Sequence, residues 1–322
     1  MKPRKEREYI VKLQIEGSDS VKEKVIIIPQ AIHSTYEGYS ELFKTFQCYV
    51  KDVPDDLTDI VMDFRRNTWF DANLLPIIYA FAEYGQDKYN INSRYENQAN
   101  CKLHELLIRN NFAKLCFQLE HKPRKNETVV PFKVFQSSNT YGFGNYIDAE
   151  IVRYFPVMEE NVKRDLSSYI QELFGNAQIH GDCTKVYTCG QYYPANHKMD
   201  FTIVNLGTTI KHNVVEYLQD IEDKIPENCI EWAVQPEHST KRINSGGIGL
   251  SLMEEFIHYN NGKYQIVSGD EFWELDKQRV NSQELNYHFP GTIVNIEIDQ
   301  NDTNIYKYEQ IEKENDMDDE IF

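Results

Sequence analysis

"QELFGNAQIHGD", residues 171–182, places Glu172, Asn176 and His180 at spacings of four. At roughly 100° per residue each step of four advances about 40° around a helix, so the three side chains form one row. Around them Leu166, Tyr169, Ile170, Leu173, Phe174 and Ala177 fall at i, i+3, i+4, i+7, i+8 and i+11. That is the apolar stripe of an amphipathic helix. The polar row runs along the edge of this stripe. It is either a plain polar border or the wall of a cleft between core and solvent, and these residues alone permit both. Gly181 directly after the row is the expected helix stop.

Working outward, the 322 residues suffice for two domains, and 41% hydrophobic with 13% aromatic residues is a globular composition. A formal net charge of -17 repels phosphate backbones, so a nucleic-acid partner is not expected. The basic run "HKPRK" (121–125) reads as a solvated linker. The six cysteines (Cys48, Cys101, Cys116, Cys183, Cys189 and Cys229) contain no CxxC pair, which fits free thiols in a reducing cytoplasm. Cys183 and Cys189 with His180 and His197 do not have the spacing of a common zinc site. The basic N-terminus lacks the apolar stretch of a signal peptide. "LLPIIYAFA" (74–82) is too short to cross a bilayer. A cytoplasmic protein with no membrane association is the expectation.

Residues 1–122 alternate strand and helix. "YIVKLQIEG" (9–17) alternates as a strand does, and "EKVIIIP" reads as a short buried strand. "GYSELFKTFQCYV" is helical in pattern, "LTDIVMDF" is a buried strand, "LLPIIYAFAEYGQ" a helix, and "KLHELLIRNNFAKLCF" one more short helix. This order predicts a small α/β domain. Pro123, Pro131, Ser137, Ser138, Gly142 and Gly144 make 123–146 read as a linker or long loop. A second domain follows over 147–300, and 301–322 is an acidic tail.

Within 147–300, "HKMDFTIVNLGTTI" (197–210) is an alternating strand entering a turn, with Phe201, Ile203 and Asn205 on one face. "EHSTKRINSGGIGLSLMEEFIHY" (237–259) sets a glycine-rich turn before an amphipathic helix. Glycines at a helix start let backbone N–H groups approach an anion, and Ser239, Thr240 and Lys241 could add donors. The run is not a P-loop, and no Rossmann strand precedes it.

Taken in order, these stretches resemble the GHKL ATP-binding domain, a superfamily that includes histidine kinases and the anti-sigma serine kinases. Its E-x-x-x-N-A-x-x-H box is matched by Glu172, Asn176, Ala177 and His180, its second glycine box by "GGIGLSL" (246–252), and its G-T-x-V-x-I strand by "GTIVNIEI" (291–298). "NAQIHG" and "LMEEF" are most similar to the anti-sigma serine kinases. The resemblance implies an α/β (α+β) fold, a two-layer sandwich of the GHKL (Bergerat) type, with ATP and Mg²⁺ as cofactors. It implies Glu172 as the base that orients a water or hydroxyl, and Asn176 as the Mg²⁺ ligand. Gly246, Gly247, Gly249 and Leu250 would lie at the phosphates beneath a mobile lid over about 208–245, and Thr292 near the adenine. His180 would line the phosphate pocket or only close the helix. The first glycine box departs from the family's D-x-G-x-G: here Asn205, Gly207 and Thr209 stand in "NLGTT". An amide oxygen still accepts a hydrogen bond, but the charge is gone and an NH₂ donor is added. Base preference is therefore left open.

The first 122 residues more faintly resemble STAS domains, through "MDFRRNTWFDANLLP" and "LLIRNNFAKL". The family's phosphorylated serine would fall at Ala72 or Asn73, neither of which has a hydroxyl. Three functions follow from the two resemblances. One is an ATPase or nucleotide-driven switch relaying its state to a protein partner. The others are a serine/threonine kinase of the anti-sigma type and a nucleotide-binding scaffold without turnover. GHKL domains often dimerise, so a homodimer belongs to the same expectation.

Overall fold

The computed structural model describes residues 22–51, 53–96, 101–117, 128–235, 238 and 248–302, with the backbone alone for 101–104 and 248–252. "YIVKLQIEG", "HKPRK", the tail beyond 302, and Ser239, Thr240, Lys241, Gly246 and Gly247 lie outside the described residues. The fold is mixed α/β, in two compact units: Met1–Asp71 with Phe81–Lys125, and Ala72–Ala80 with Asn126–Phe322.

The chain first runs β1 (Glu23–Ile27), β2 (Ala31–Ile32), α1 (Tyr36–Thr45), β3 (Asp59–Asp63), β4 (Trp69–Phe70), α2 (Leu75–Tyr89), β5 (Asn92–Glu96), α3 (Cys101–Arg109) and α4 (Phe112–Phe117). In the first unit β1, β3 and β5 form a parallel sheet in that order, as strands returned by intervening helices must. Phe46 stacks between Phe81 at 5.1 Å and Tyr49 at 5.7 Å. Gly85 makes room for the Tyr49 ring, since a Cβ there would lie 2.3 Å from a ring carbon.

Two expectations for this unit need correction. "EKVIIIP" is only half buried: Ile26 and Ile28 are inside, but Val25 is 53% and Ile27 50% exposed. β1 is an edge strand, and one of its faces is uncovered among the described residues. "KLHELLIRNNFAKLCF" is two helices. Asn111 takes a left-handed φ of 69°, and the Asn110 side chain accepts from the Phe112 N–H at 3.0 Å. Asparagine tolerates that conformation and offers the turn a local bond, so it ends one helix and starts the next.

The second unit contains β6 (Val129–Gln136), α5 (Thr140–Tyr146), α6 (Glu160–Ile179), β7 (Lys185–Tyr193), β8 (Lys198–Leu206), α7 (Ile210–Asp220), α8 (Cys229–Val234), α9 (Ile248–Asn260), β9 (Lys263–Asp276) and β10 (Arg279–Asp299). Its antiparallel sheet has the order β6-β7-β8-β10-β9. Alternation sends Met199, Phe201 and Ile203 of β8 and Val294, Ile296 and Ile298 of β10 to one core with Leu166, Ile170, Leu173 and Phe174 of α6. Met253, Phe256 and Ile257 of α9 join the same core. The apolar stripe along 166–177 is thus the buried face of α6.

The other sheet face meets Ala72–Ala80. Asn73 Nδ2 donates to Thr202 Oγ1 at 3.2 Å and Asn295 Oδ1 at 2.8 Å. Tyr79 lies 5.1 Å from Phe132 and 5.2 Å from Tyr187, ring to ring.

The linker expected at 123–146 is corrected from 128 onward, where the chain forms β6 and α5. Pro131 sits in edge strand β6 where the register shifts between Val130 and Lys133. Such a bulge on an edge is where a strand tolerates proline, which has no N–H to donate. Asn139 caps α5 by accepting from the Gly142 N–H at 3.0 Å, and Ser137 Oγ donates to the Cys183 carbonyl at 2.7 Å. The turn formers are used as bulge, tether and cap.

Candidate nucleotide cleft

α6 carries the row toward its C-terminal end. His180 is the C-cap residue, its N–H bonded to the Asn176 carbonyl at 2.9 Å. The left-handed residue after the helix is Asp182, with φ 45°, and not the expected Gly181. Gly181 is required for closeness instead. A Cβ there would lie 2.5 Å from both the Ala177 carbonyl oxygen and Asn205 Nδ2.

The end of α6 is stitched to the turn after β8. Thr208 N–H donates to the Gly181 carbonyl at 2.8 Å, and Asn213 Nδ2 donates to the His180 carbonyl at 2.7 Å. Gly207 has φ +140°, reachable without strain only by glycine, and its N–H donates to the Pro290 carbonyl at 3.0 Å. A Cβ on Gly291 would lie 2.0 Å from the Asn205 carbonyl oxygen. Three glycines thus let three chain segments close around Asn205.

A cleft of about 840 Å³, counting the space open to solvent, lies at this junction. Asn176, His180, Asn205 and Thr292, picked out from three separate motifs, all line it. Asn205 is 4% exposed, and its Nδ2 has no hydrogen-bond partner among the described residues. Thr292 is the cross-strand partner of Asn205, and its Oγ1 lies 2.8 Å from Ser268 Oγ.

Other expected residues fall elsewhere. Glu172 is half buried one turn earlier and is not among the lining residues. Burial pushes the Tyr264 phenol well above its usual value, and the nearby carboxylates of Glu254 and Glu172 add to this. Gly207 shapes the turn without lining the cleft, and Thr209 is the N-cap of α7, its Oγ1 accepting from the His212 N–H at 3.2 Å. Thr208, its neighbour, lines the cleft. Gly249 and Leu250 lie in the first turn of α9, inside the helix.

The expected lid region contributes two helices. Val214, Leu218 and Cys229 form a small cluster of their own between α7 and α8. Glu271 of β9, 1% exposed, caps α8 from outside by accepting from the N–H groups of Cys229 at 2.9 Å and Ile230 at 3.2 Å. Burial raises the Glu271 carboxyl; Lys211 and these two N–H groups oppose the rise. Held this way, α8 presents Trp232 to the cleft, where its ring stacks on His238 at 4.4 Å.

Asn213, Trp232 and His238 were not picked out from the sequence. The Ile210, Val214, Leu218 spacing and the helix-capping Asn228 were the available signals that this stretch is ordered. Compared with known proteins, the chain matches no family model and no curated protein.

Proposed function

We propose that this cleft binds a nucleoside triphosphate with Mg²⁺, and that the chain is a regulatory ATPase or nucleotide-driven switch reporting to a protein partner. On this reading the second unit is a GHKL-type two-layer sandwich and the first unit is STAS-like. One observation carries it. Asn176 of α6, its C-cap His180, Asn205 of β8 and Thr292 of β10 come from three separate stretches of sequence, yet line one cleft. A mere polar border on α6 would not require the other two.

The residues present fit the two groups. The cleft's six branched aliphatic wall residues, Leu173, Ile203, Ile210, Val214, Ile266 and Val294, together with the Trp232 ring, suit a flat heterocycle, and Asn205 sets an amide among them. Asn176 would hold Mg²⁺ through its side-chain oxygen. Among the described residues no three His, Cys, Asp or Glu side chains are grouped to hold a metal. The remaining coordination would fall to water and phosphate, as Mg²⁺ prefers. When bound, the ion neutralises phosphate charge and orients the phosphates. Glu172 would act one helical turn away, about 6 Å along the axis, orienting a water or a partner's hydroxyl.

The position of Glu172 outside the lining favours a second reading, a binding scaffold without turnover. Labelled ATP and GTP separate the readings. Free phosphate marks an ATPase or GTPase, label on a partner protein marks the kinase of the anti-sigma type, and binding without either marks the scaffold. Glu172→Ala is expected to keep binding and lose turnover at least about 100-fold, the scale of a general base. Turnover equal to the wild type would remove Glu172 from the role. If no nucleotide with Mg²⁺ shifts the melting temperature, the proposal fails.

A further inference from the structure

β9 is irregular at Gly269. That residue takes φ +66°, and the pairing with β10 shifts register there, from Ser268 with Thr292 to Gly269 with Phe289. Ser268 and Glu271 are three residues apart, so in a regular strand their side chains would leave on opposite faces. The bulge re-aims them to one side. Glycine takes that left-handed φ without strain, and a Cβ there would lie 3.2 Å from His288 Cε1 and 3.3 Å from Thr209 Cγ2.

Both side chains then reach the helices that wall the cleft. Ser268 Oγ accepts from the Ile210 N–H at 2.9 Å, at the start of α7. Glu271 Oε2 accepts from the first two N–H groups of α8, and its Oε1 lies 3.7 Å from Lys211 Nζ on α7. Lys211 Nζ also lies 3.3 Å from Asp270 Oδ1. One buried carboxylate therefore holds two helices, one by charge-assisted hydrogen bonds and the other by an ion pair. Those helices supply Ile210, Asn213, Val214 and Trp232 to the cleft, and β9 itself supplies Ile266. The clasp thus sets the distance between the helical wall and the sheet.

We infer that Glu271 is a positioning residue for ligand binding: it fixes the spacing between the sheet and the Trp232 wall, and with it the affinity of the cleft for a flat ring. A ring held between two walls gains dispersion only while both touch it. A gap of about 0.5–1 Å forfeits roughly a quarter to a half of that attraction. The inference rests on the nucleotide reading above and adds to it a residue that does not line the cleft. The contact is with the face of the ring, which every base presents, so the effect falls on ATP and GTP alike.

A cap that served stability alone would lower the melting temperature and leave the affinity of the folded protein unchanged. A clasp that sets spacing lowers the affinity of the folded protein, and does so through Trp232. A double-mutant cycle between Glu271 and Trp232 separates the two roles.

Calorimetric titration of the full chain with ATP and GTP, each with Mg²⁺, at a temperature where every variant is folded, is the test. Glu271→Ala and Trp232→Leu are each expected to weaken both nucleotides about tenfold, the scale of one base–aromatic contact. The double variant is expected to be about tenfold weaker and not about a hundredfold, because the two changes remove the same contact. Glu271→Gln, whose amide oxygen accepts from the same N–H groups, is expected to bind within about twofold of the wild type. Trp232 is half-buried, and wild-type affinity in Trp232→Leu overturns the inference whether or not Glu271→Ala folds. Wild-type affinity in Glu271→Ala, or a loss of about a hundredfold in the double variant, also overturns it. Each of these leaves the nucleotide reading standing. Binding of neither nucleotide by the wild type overturns both.

Discussion

Strands β8 and β10 pair an asparagine with a threonine twice, Thr202 with Asn295 and Asn205 with Thr292. The two pairs are three residues apart on each strand, so they face opposite sides of the sheet. Thr202 Oγ1 donates to Asn295 Oδ1 at 2.7 Å, Asn295 Nδ2 to Gln265 Oε1 at 3.0 Å, and Gln265 Nε2 to Glu274 Oε2 at 2.6 Å. With Asn73 added, the amide nitrogens of Asn73, Asn295 and Gln265 all have acceptors. On the other face the Asn205 amide nitrogen has none among the described residues. The same residue types on the same strands thus make structure on one face and an unfilled demand on the other. Whether a buried amide is already paired distinguishes the two better than its burial does.

The largest expected effect breaks the paired side. Asn295→Ala removes the acceptor of Asn73 and Thr202 and the donor to Gln265 together. It is expected to lower stability by about 3–4 kcal/mol, since several buried groups lose partners at once. Urea denaturation measures this. A loss under about 1 kcal/mol would mean that the network adds little, and the contrast between the faces would fall.

Glu271 sharpens the contrast with a charged group. Glu271→Ala strands two N–H groups at the start of α8 and is expected to cost about 2–3 kcal/mol; Glu271→Gln, which keeps an acceptor, is expected to cost under about 1 kcal/mol. Because burial raises this carboxyl in the folded state, the native protein holds its proton to higher pH than the unfolded chain does. Stability from this group is therefore fully present below the ordinary glutamate pKa and declines as pH rises through the raised value. The Gln variant should lose that decline, which denaturation at several pH values will show.

The same distinction explains what was legible in the sequence. The α6 stripe, β8 and the apolar side of α9 were readable because periodicity is local. The convergence of Asn176, His180, Asn205 and Thr292 followed only from the ordered motifs of a family resemblance. β6 was missed because Pro131 reads as a breaker unless the strand is known to be an edge with a bulge. Gly181 was read as a left-handed cap when its reason is the nearness of Asn205, a contact across 24 residues that no local rule supplies. Trp232 and His238 were missed because their place in the cleft depends on Glu271 capping α8 from another strand. Asn205 and Asn295 look alike in sequence, and only their partners separate them.

The smallest stability effect is expected at Asn205 itself, and it is the most diagnostic. Asn205→Ala removes a buried NH₂ that has no partner among the described residues. The loss of packing is offset by relief of an unpaired donor, so the net change is expected within about 1 kcal/mol. Asn295→Ala, on the same two strands, is expected to cost several times more. If both variants destabilise alike, Asn205 is an ordinary structural amide and the cleft loses its claim to a ligand. If Asn205→Ala folds with near-native stability while nucleotide no longer raises its melting temperature, the unpaired amide is the part of the fold that the ligand completes.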